Sequence, residues 1–299
     1  MAQKPYREIT QEQAQQFLER GHIVIRQAFP RELAEEWRAF AFKRLGYDPY
    51  DPDTWAEPRV HLTGMNWKRA ADIAPRAWNA ICDLMGGEER IQNAQNFSLG
   101  DGFIINFNIG DGEPWQPPSP NMSGWHKDGD FFRHFLDSPE QGLLTIVIWS
   151  DIFPKSGGTF VAADSVQHIA RYLAQHPEGL LPSEAGFGKL IRRCSDFAEL
   201  TGLAGDIVLI HPYVLHSASR NPSGRARFIT NPPVALKKPM NFNRKNPDDF
   251  SLVEKAVLKG LGVKRLDFKP TRPRERVVPE RVARQKKMLK EQKRRLGIS

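Results

Sequence analysis

The sequence predicts a mainly β domain of the jelly-roll type with flanking helices. The hydrophobic pattern takes a period of two from about residue 95, where Ile104, Asn106 and Asn108 fall on one face of a strand. Further short segments rich in β-branched residues follow between turn residues, and they are numerous enough for a jelly roll. These segments are 143–149, 159–163, 188–194, 207–210 and 225–230.

The chain of 299 residues is long enough for one large domain with helical additions. Helical periodicity is prominent before the β segments, so we expect a helical N-terminal part over 1–94 and a jelly-roll core over about 95–235. Residues 1–269 would then form a single domain, and residues 270–299 a basic helical tail.

The positive charge of the chain is concentrated in that tail. Residues 270–299 contain eleven Lys or Arg and three Glu, whereas the rest of the chain is formally neutral. One thin, largely apolar seam runs along the predicted helix, which indicates docking on its own domain or on a second copy of the chain. Attraction to nucleic acid or to an anionic surface is the alternative. The seam consists of Val278, Val282, Gln285, Leu289, Gln292 and Leu296.

The composition also bears on the compartment. Two cysteines, Cys82 and Cys194, argue against a disulfide framework and fit a reducing environment. No stretch approaches the roughly 20 apolar residues of a membrane span, and the first residues lack the apolar core of a signal peptide. We therefore expect a cytoplasmic protein without a membrane partner.

A candidate metal-binding pair lies in the segment 123–130. His126 and Asp128 are two residues apart, so in an extended strand both side chains point to the same face and can reach one metal ion. A second histidine would complete a two-histidine, one-carboxylate triad, which leaves three positions of an octahedral ferrous ion open. By itself the pair is equally compatible with a polar surface loop.

Two histidines compete as the third ligand. If Asn221–Gly224 is the loop of a hairpin, His216 and Arg227 share one face and lie roughly 7 to 8 Å apart on a diagonal. A guanidinium there could hold the far carboxylate of a short diacid whose near end chelates the metal. His211 would face the other way in a continuous strand, although Pro212 could break that strand. His216 is therefore favoured over His211, and Arg225 is the fallback for Arg227.

The ordered set of these motifs resembles the phytanoyl-CoA dioxygenase family of iron(II)- and 2-oxoglutarate-dependent oxygenases. The resemblance covers about residues 95–235 and implies a double-stranded β-helix, or cupin-like jelly roll, with iron(II), 2-oxoglutarate and O2 as cofactors. It implies that His126, Asp128 and His216 bind iron and that Arg227 pairs with the distal carboxylate of 2-oxoglutarate.

Further cosubstrate contacts follow from the same resemblance. Trp149 and Asn108 match positions beside 2-oxoglutarate. Where relatives often carry a serine, this chain has Ala218, so Ser217 or Ser219 substitutes or that hydrogen bond is absent. The segment 156–165 lacks the proline and adjacent histidine of the family pattern, so no catalytic role is assigned to Asp164 or His168.

Aromatic and basic residues near the motifs suggest the kind of substrate. The candidates are Trp125, Phe131, Phe132, Arg133 and Trp67, which suit an amphipathic small molecule. Because Asp128 is present where related halogenases carry a small residue, we expect hydroxylation or a related C–H oxidation. The alternatives are a nucleic-acid oxygenase anchored by the tail, a cupin-type isomerase, and a non-catalytic interaction protein. Nucleic acid is not the expected partner, and a homo-oligomer through the C-terminal helix is left open.

Overall fold

The computed structural model describes residues 5–110 and 112–298. Apart from short 3₁₀ turns, its helices are α1 (Gln11–Arg20), α2 (Arg31–Leu45), α3 (Ala70–Ile73), α4 (Pro75–Met85), α5 (Ser165–Ala174), α6 (Leu252–Leu261) and α7 (Arg281–Arg295). Its strands are β1 (His22–Ile25), β2 (Arg59–His61), β3 (Trp67–Arg69), β4 (Ser98–Gly100), β5 (Ile104–Asn106), β6 (Leu143–Ile148), β7 (Thr159–Ala162), β8 (Phe197–Leu200), β9 (Ile207–Ile210), β10 (Leu215–Ala218), β11 (Arg227–Thr230) and β12 (Pro233–Val234).

Two antiparallel sheets form the core. The larger sheet has the order β1-β9-β6-β11-β5-β2, with β12 also paired to β6, and the smaller has the order β10-β7-β8. The strands β3 and β4 form a separate pair. The two-sheet arrangement with flanking helices confirms the predicted jelly roll.

Helix α2 covers the outer face of the larger sheet. Trp37 stacks on Trp149 at a centroid distance of 4.9 Å, and Phe42 packs on Phe228 at 5.4 Å. Side chains alternate along β11, so Phe228 faces this aromatic layer while Arg227 and Ile229 face the space between the sheets. One face of the sheet therefore supplies the core, and the other is free to build a site.

The N-terminal part contributes strands as well as helices. Strand β1 pairs with β9, and β2 pairs with β5, so both belong to the larger sheet. Helix α1 begins at the capping box formed by Thr10 and Gln13. The described part of this segment, residues 5–94, thus contributes two strands to the same sheet as the predicted core.

The strand predicted at 188–194 is wrong. The chain forms a 3₁₀ helix at Phe187–Arg193 instead, and the strand comes later, at Phe197–Leu200. The helix follows Gly186 in the left-handed region, and a side chain on Gly188 would collide with the carbonyl of Trp125. Close packing of this turn against the neighbouring loop overrides its apolar pattern.

The basic C-terminal segment folds back onto the body of the same chain. Gln292 on α7 is buried, and its side-chain carbonyl accepts hydrogen bonds from Arg44 at 3.0 and 2.8 Å. Arg44 itself is fully buried and also pairs with Asp101 at 3.3 Å. Within 5–110 and 112–298, no helix combines the length and apolarity required to traverse a bilayer.

Candidate metal centre

Three side chains from two segments converge between the sheets. The Nε2 atoms of His126 and His216 each lie 3.5 Å from Oδ1 of Asp128. One ligand atom from each residue falls within 4.8 Å of the other two, which is compact enough to share a single ion. The structure thus brings the three predicted ligands together.

The backbone fixes the two histidines opposite each other. The N–H of His126 donates to the carbonyl of His216 at 3.0 Å, and the N–H of His216 donates to the carbonyl of His126 at 2.9 Å. This antiparallel bridge places the segment before Asp128 alongside β10. The two ligand segments, although 90 positions apart, behave as neighbouring strands.

Hydrogen bonds behind the ligands set their orientation. Nδ1 of His126 contacts the carbonyl of Gly124 at 2.7 Å, and Nδ1 of His216 contacts that of Val214 at 3.1 Å. Because a carbonyl can only accept, each Nδ1 carries a proton, and in the neutral ring Nε2 presents a lone pair. The other carboxylate oxygen of Asp128 accepts from Asn231 at 2.8 Å.

This arrangement suits a cation. Two imidazole lone pairs and a carboxylate oxygen face one another and would repel unless a positive charge lies between them. Burial alone would raise the pKa of Asp128, but the positive charge and hydrogen bonds of His216 and His126 in their protonated forms outweigh it and hold that pKa well below its usual range. A bound cation would supply that positive charge when both rings are neutral. The donor set is that of a non-haem iron(II) site, so the residues present fit the metal.

His211 is not part of this cluster. Its ring is fully buried, with Nε2 3.3 Å from the carbonyl of Val253 and Nδ1 accepting the N–H of Tyr213 at 3.1 Å. Burial lowers the pKa of His211 to about 3. The ambiguity between the two histidines is therefore resolved in favour of His216 as the residue beside Asp128.

Arg227 reaches the same place from the opposite sheet. It lines a cavity of about 80 Å³ together with His126, Asp128 and His216, which we call the metal cavity. Its Nε donates to the carbonyl of Gly157 at 2.8 Å, and the side chain is buried. Burial, and then the charge of Arg59, lowers the pKa of Arg227 to about 9.

The hairpin used to predict that proximity is wrong. Strand β10 pairs with β7, whereas β11 pairs with β5 and β6, so His216 and Arg227 lie on different sheets and face each other across the sandwich. The connection crosses over because Asn221 donates to the carbonyls of Asn106 and Phe107. Arg225, the fallback, lies over the ring of Phe153 instead.

Apart from Arg227, the structure places only one of the three predicted cosubstrate contacts at the metal cavity. Ser217 lines it, and its hydroxyl donates to the carbonyl of Ser123 at 3.2 Å. Trp149 does not line it. Trp149 lies three residues after Ile146 in an extended segment, so the two side chains point to opposite faces, and Trp149 points into the aromatic layer under α2. Asn108 lies beyond the end of β5 and also misses the cavity. Its Oδ1 is buried and has no hydrogen-bond partner among residues 5–110 and 112–298.

A larger cavity of about 500 Å³ adjoins the metal cavity, and we call it the outer cavity. Four residues line both: His61, His126, Asp128 and Asn231. Of the five predicted substrate residues, only Phe131 lines the outer cavity.

The other four substrate candidates point elsewhere. Trp125 neighbours His126 and faces away from it, against Phe197. Phe132 packs on His134, Arg133 pairs with Glu275 at 2.8 Å, and Trp67 is 62% exposed on the outlying β3. The segment beside the metal pair does line the outer cavity, but through Lys127, Gly129, Asp130, Phe131 and His134 rather than through these four side chains.

Sequence reasoning missed several cavity residues. Arg59 and His61 lie on β2, in a stretch that reads as loop, although the buried Val60 between them gives the period of two that marks a strand. Arg281 and Gln285 of α7 line the outer cavity, and Arg281 pairs with Asp130 through two contacts of 2.6 and 2.8 Å. Gln285 belongs to the predicted seam, which was the available signal.

A buried lysine separates the two ligands of the first segment. Lys127 also lines the outer cavity, and its Nζ contacts Nδ1 of His134 at 3.0 Å and the carbonyl of Asp128 at 3.1 Å. Burial lowers the pKa of Lys127 to about 7.

A second group with metal-ligand side chains lies at the start of α5. Asp164, His168 and Cys194 also bring one ligand atom each within 4.8 Å of the others. Asp164 is already engaged by the N–H and hydroxyl of Ser195, and burial raises the pKa of Cys194 to about 12. None of the three lines the metal cavity or the outer cavity.

The family model described as phytanoyl-CoA dioxygenase (PhyH) matches residues 17–229. No curated protein is similar enough to count as a match.

Several solved structures are similar at low identity. The carbocyclase SnoK from nogalamycin biosynthesis is 15% identical, with 79% of this chain and 87% of that chain covered and a TM-score of 0.42. EctD from S. alaskensis with 2-oxoglutarate and 5-hydroxyectoine is 16% identical, with 76% of each chain covered and a TM-score of 0.40. HygX from Streptomyces hygroscopicus with nickel and 2-oxoglutarate is 15% identical, with 77% and 88% covered and a TM-score of 0.44.

Proposed function

The chain belongs to the phytanoyl-CoA dioxygenase family, and from that premise we propose that it hydroxylates or otherwise oxidises an unactivated C–H bond of a small organic molecule. The family predicted from the sequence is confirmed, and with it the family's cofactors iron(II), 2-oxoglutarate and O2. The products of the proposed reaction would include succinate and CO2. The observation that carries the proposal is the convergence of His126, Asp128, His216 and Arg227 on one cavity.

The residues of the cavity divide the work of binding. His126, Asp128 and His216 would hold iron(II), while Gly124, Val214 and Asn231 keep the ligand atoms aimed at it. The buried guanidinium of Arg227 would pair with the distal carboxylate of 2-oxoglutarate, and its bond to Gly157 fixes the plane of that fork.

The cofactors supply the difficult chemistry, namely the oxidation of a C–H bond by O2 coupled to decarboxylation of 2-oxoglutarate. The protein positions the C–H bond and limits access of water. The outer cavity of about 500 Å³ has the size of a small-molecule site and shares residues with the metal cavity, so a substrate bound there would lie beside the metal.

Asp128 supports oxidation rather than halogenation. A carboxylate occupies the place that a chloride needs in the related halogenases, and it is held there by Asn231 at 2.8 Å. Hydroxylation or a related oxidation is accordingly the reaction we infer.

The decisive test is an anaerobic titration with iron(II) and then 2-oxoglutarate, followed by visible spectroscopy. A metal-to-2-oxoglutarate charge-transfer band is expected for the wild type and for His168→Ala, which removes an imidazole from the second group. The band should be absent from His216→Ala. A wild type without the band would contradict the proposal. If the band forms, a panel of small molecules tested for stimulated succinate release identifies the substrate.

The rival function is a nucleic-acid oxygenase. The observation in its favour is the exposed basic face of α7, formed by Arg284, Lys286, Lys287, Lys290 and Arg294. Single-stranded oligonucleotides tested at two salt concentrations distinguish the two. We expect no stimulation of succinate release, whereas stimulation that falls steeply with salt would favour the rival.

A further inference from the structure

We propose that Asp164, His168 and Cys194 form a second metal site, which binds zinc(II) and ties two parts of the fold together. None of the three residues lines the metal cavity or the outer cavity. The proposed site is therefore separate from the oxygenase function, and either can exist without the other.

Two segments of the chain bring these three side chains together. Asp164 comes directly before α5, and His168 lies one helical turn further on, so both are on the same side of the start of the helix. Cys194 follows the 3₁₀ helix Phe187–Arg193. One ligand atom from each residue lies within 4.8 Å of the other two, a limit that the iron ligands also meet. The three side chains can therefore reach a single ion.

The carboxylate of Asp164 has one oxygen to spare for a metal. Its Oδ2 accepts hydrogen bonds from the N–H of Ser195 at 2.8 Å and from the hydroxyl of Ser195 at 3.2 Å. Its Oδ1 is buried and has no hydrogen-bond partner within 5–110 and 112–298. Removing a carboxylate oxygen from water without a partner is costly. A cation at Oδ1 would offset this cost, while Ser195 holds the carboxylate in place.

His168 can coordinate a metal at neutral pH. Burial lowers the pKa of its imidazole, although the charge of Asp164 opposes this effect, and the charges of Arg171 and Arg193 lower the pKa further. The ring is therefore neutral and has a lone pair. A backbone hydrogen bond to Arg193 engages one ring nitrogen, as is common for metal-binding histidines, and leaves the other for the ion.

The donor set favours zinc(II) and distinguishes this site from the iron centre, which contains no sulfur. A thiolate, an imidazole and a carboxylate are ligands of zinc(II), and water would take the fourth tetrahedral position. Without a metal, the thiol of Cys194 keeps its proton, because burial and then the charge of Asp164 raise its pKa to about 12. Coordination would release that proton to the solvent. The thiolate and the carboxylate would then balance the two charges of zinc(II).

Zinc bound here would join two elements that support the iron centre. Strand β7, which leads into α5, pairs with β10, and Val161 lies opposite His216. The 3₁₀ helix that ends before Cys194 packs closely against the carbonyl of Trp125, next to His126. A metal bridge between these two elements would stabilise the fold without contacting the iron, because binding to the folded state alone favours folding.

Cobalt(II) is the probe, because it takes the place of zinc(II) and gives a thiolate-to-metal charge-transfer band that imidazole and carboxylate ligands do not give. The band reports on the proposed site even when cobalt also fills the iron centre. Anaerobic titration of the wild type, with a phosphine as reductant, should produce the band, and zinc(II) should remove it. Asp128→Ala should keep the band, because this change affects a ligand of the iron centre only.

Matched cysteine variants assign the sulfur. Cys194→Ser should abolish the band, whereas Cys82→Ser, at the other buried thiol, should keep it. X-ray absorption at the zinc edge of the wild type with one equivalent of zinc(II) needs no variant. It should show a sulfur ligand at about 2.3 Å.

Further variants distinguish a ligand from its supporting residue. His168→Gln should weaken cobalt binding by more than the 10- to 100-fold typical of a lost supporting residue. Ser195→Ala removes one hydrogen bond to Asp164 and should weaken it by about 10-fold. His176→Gln is the matched control, since this histidine follows α5 and pairs with Glu178. It should leave cobalt binding unchanged.

Three results would overturn the proposal. The first is a wild type without the thiolate band or with only nitrogen and oxygen around zinc(II). The second is a band that survives in Cys194→Ser or is lost in Cys82→Ser. The third is equal cobalt affinity in the wild type and His168→Gln, which would mean that the thiol binds metal without this imidazole. The charge-transfer band of iron(II) and 2-oxoglutarate should still form in Cys194→Ser and His168→Gln, which shows that they are folded.

Discussion

His126 and His216 lock each other in place through two reciprocal backbone hydrogen bonds of 3.0 and 2.9 Å, and both rings approach the same oxygen of Asp128. The pairing means that the orientation of each imidazole depends on the sheet rather than on a flexible loop. A site with ligands fixed in this way should lose metal affinity sharply when a ligand is removed and gradually when a supporting residue is removed.

Asp128→Ala should abolish tight iron(II) binding and substrate-coupled succinate formation, because two imidazoles remain without the charged ligand. Asn231→Ala should keep iron but bind it about 10- to 100-fold more weakly, since only the orientation of the carboxylate is lost. Iron content after desalting and an iron titration measure both effects. Cys194→Ser, in the second group, is the control and should retain one iron per chain. Full activity of Asp128→Ala would show that another residue is the ligand.

Arg227→Gln should raise the dissociation constant of 2-oxoglutarate by about 100-fold, because the buried far carboxylate would lose its charged partner. Arg225→Gln is the matched control, since this neighbouring arginine lies over Phe153 outside the cavity. Anaerobic titration of the charge-transfer band gives both constants. Equal affinity in the two variants would move the distal carboxylate to a different residue.

The burial of His211 predicts that the folded protein loses stability in acid. The pKa of His211 falls to about 3 in the folded protein, so between pH 6.5 and 3 the unfolded chain binds a proton that the folded chain does not. The contribution of His211 to the free energy of unfolding should therefore be complete above pH 6.5. As the pH falls this contribution decreases, by on the order of 3 kcal/mol at pH 4.

Urea unfolding of the wild type and of His211→Gln at pH 7 and pH 4.5 checks this expectation. The variant should be less stable at pH 7, where the hydrogen bonds to Val253 and Tyr213 matter, and the difference should shrink at pH 4.5. A difference that is the same at both pH values would contradict the expected proton linkage.

Residue spacing within short segments predicted much of the site. The pairing of strands that are far apart in the sequence could not be predicted from such spacing. The two-residue spacing of His126 and Asp128 and the apolar run at 207–210 carry local information, and the structure agrees with both. The predicted hairpin instead assumed that neighbouring strands in sequence pair with each other. In a jelly roll the chain crosses between sheets, and the side chain of Asn221, which directs that crossing, does so through contacts 115 and 114 positions away.

The substrate side of the site was harder to predict for the same reason. Trp125 and Phe132 are close to the metal pair in sequence. Side-chain alternation turns Trp125 away from the outer cavity towards Phe197, and Phe132 packs on His134 instead of lining that cavity. Besides the segment around the metal pair, the walls of the outer cavity include residues of β2 and α7, at opposite ends of the chain. A single sequence does not show which distant segments contact each other. The seam of α7 predicted that this helix docks, but not that it docks beside the outer cavity.

The docking of that seam leads to a final prediction, on the connection between the C-terminal helix and the outer cavity. Arg44→Ala should destabilise the protein by about 3 to 5 kcal/mol, because it leaves the buried Asp101 without its charged partner. Gln292→Ala removes only the contact to α7 and should cost about 1 to 2 kcal/mol, while loosening the helix that holds Arg281 and Gln285. Lys290→Ala, on the exposed face of the same helix, should change stability by less than about 0.5 kcal/mol.

Urea unfolding gives these free energies, and limited proteolysis with mass spectrometry locates the loosened segment. Cleavage of Gln292→Ala should occur faster between residues 270 and 298 than in the wild type, with iron(II) and 2-oxoglutarate binding preserved because their residues lie elsewhere. Binding of ligands in the outer cavity should weaken in parallel, since α7 forms part of its wall. Faster cleavage without any loss of that binding would show that α7 only covers the domain and does not shape the cavity.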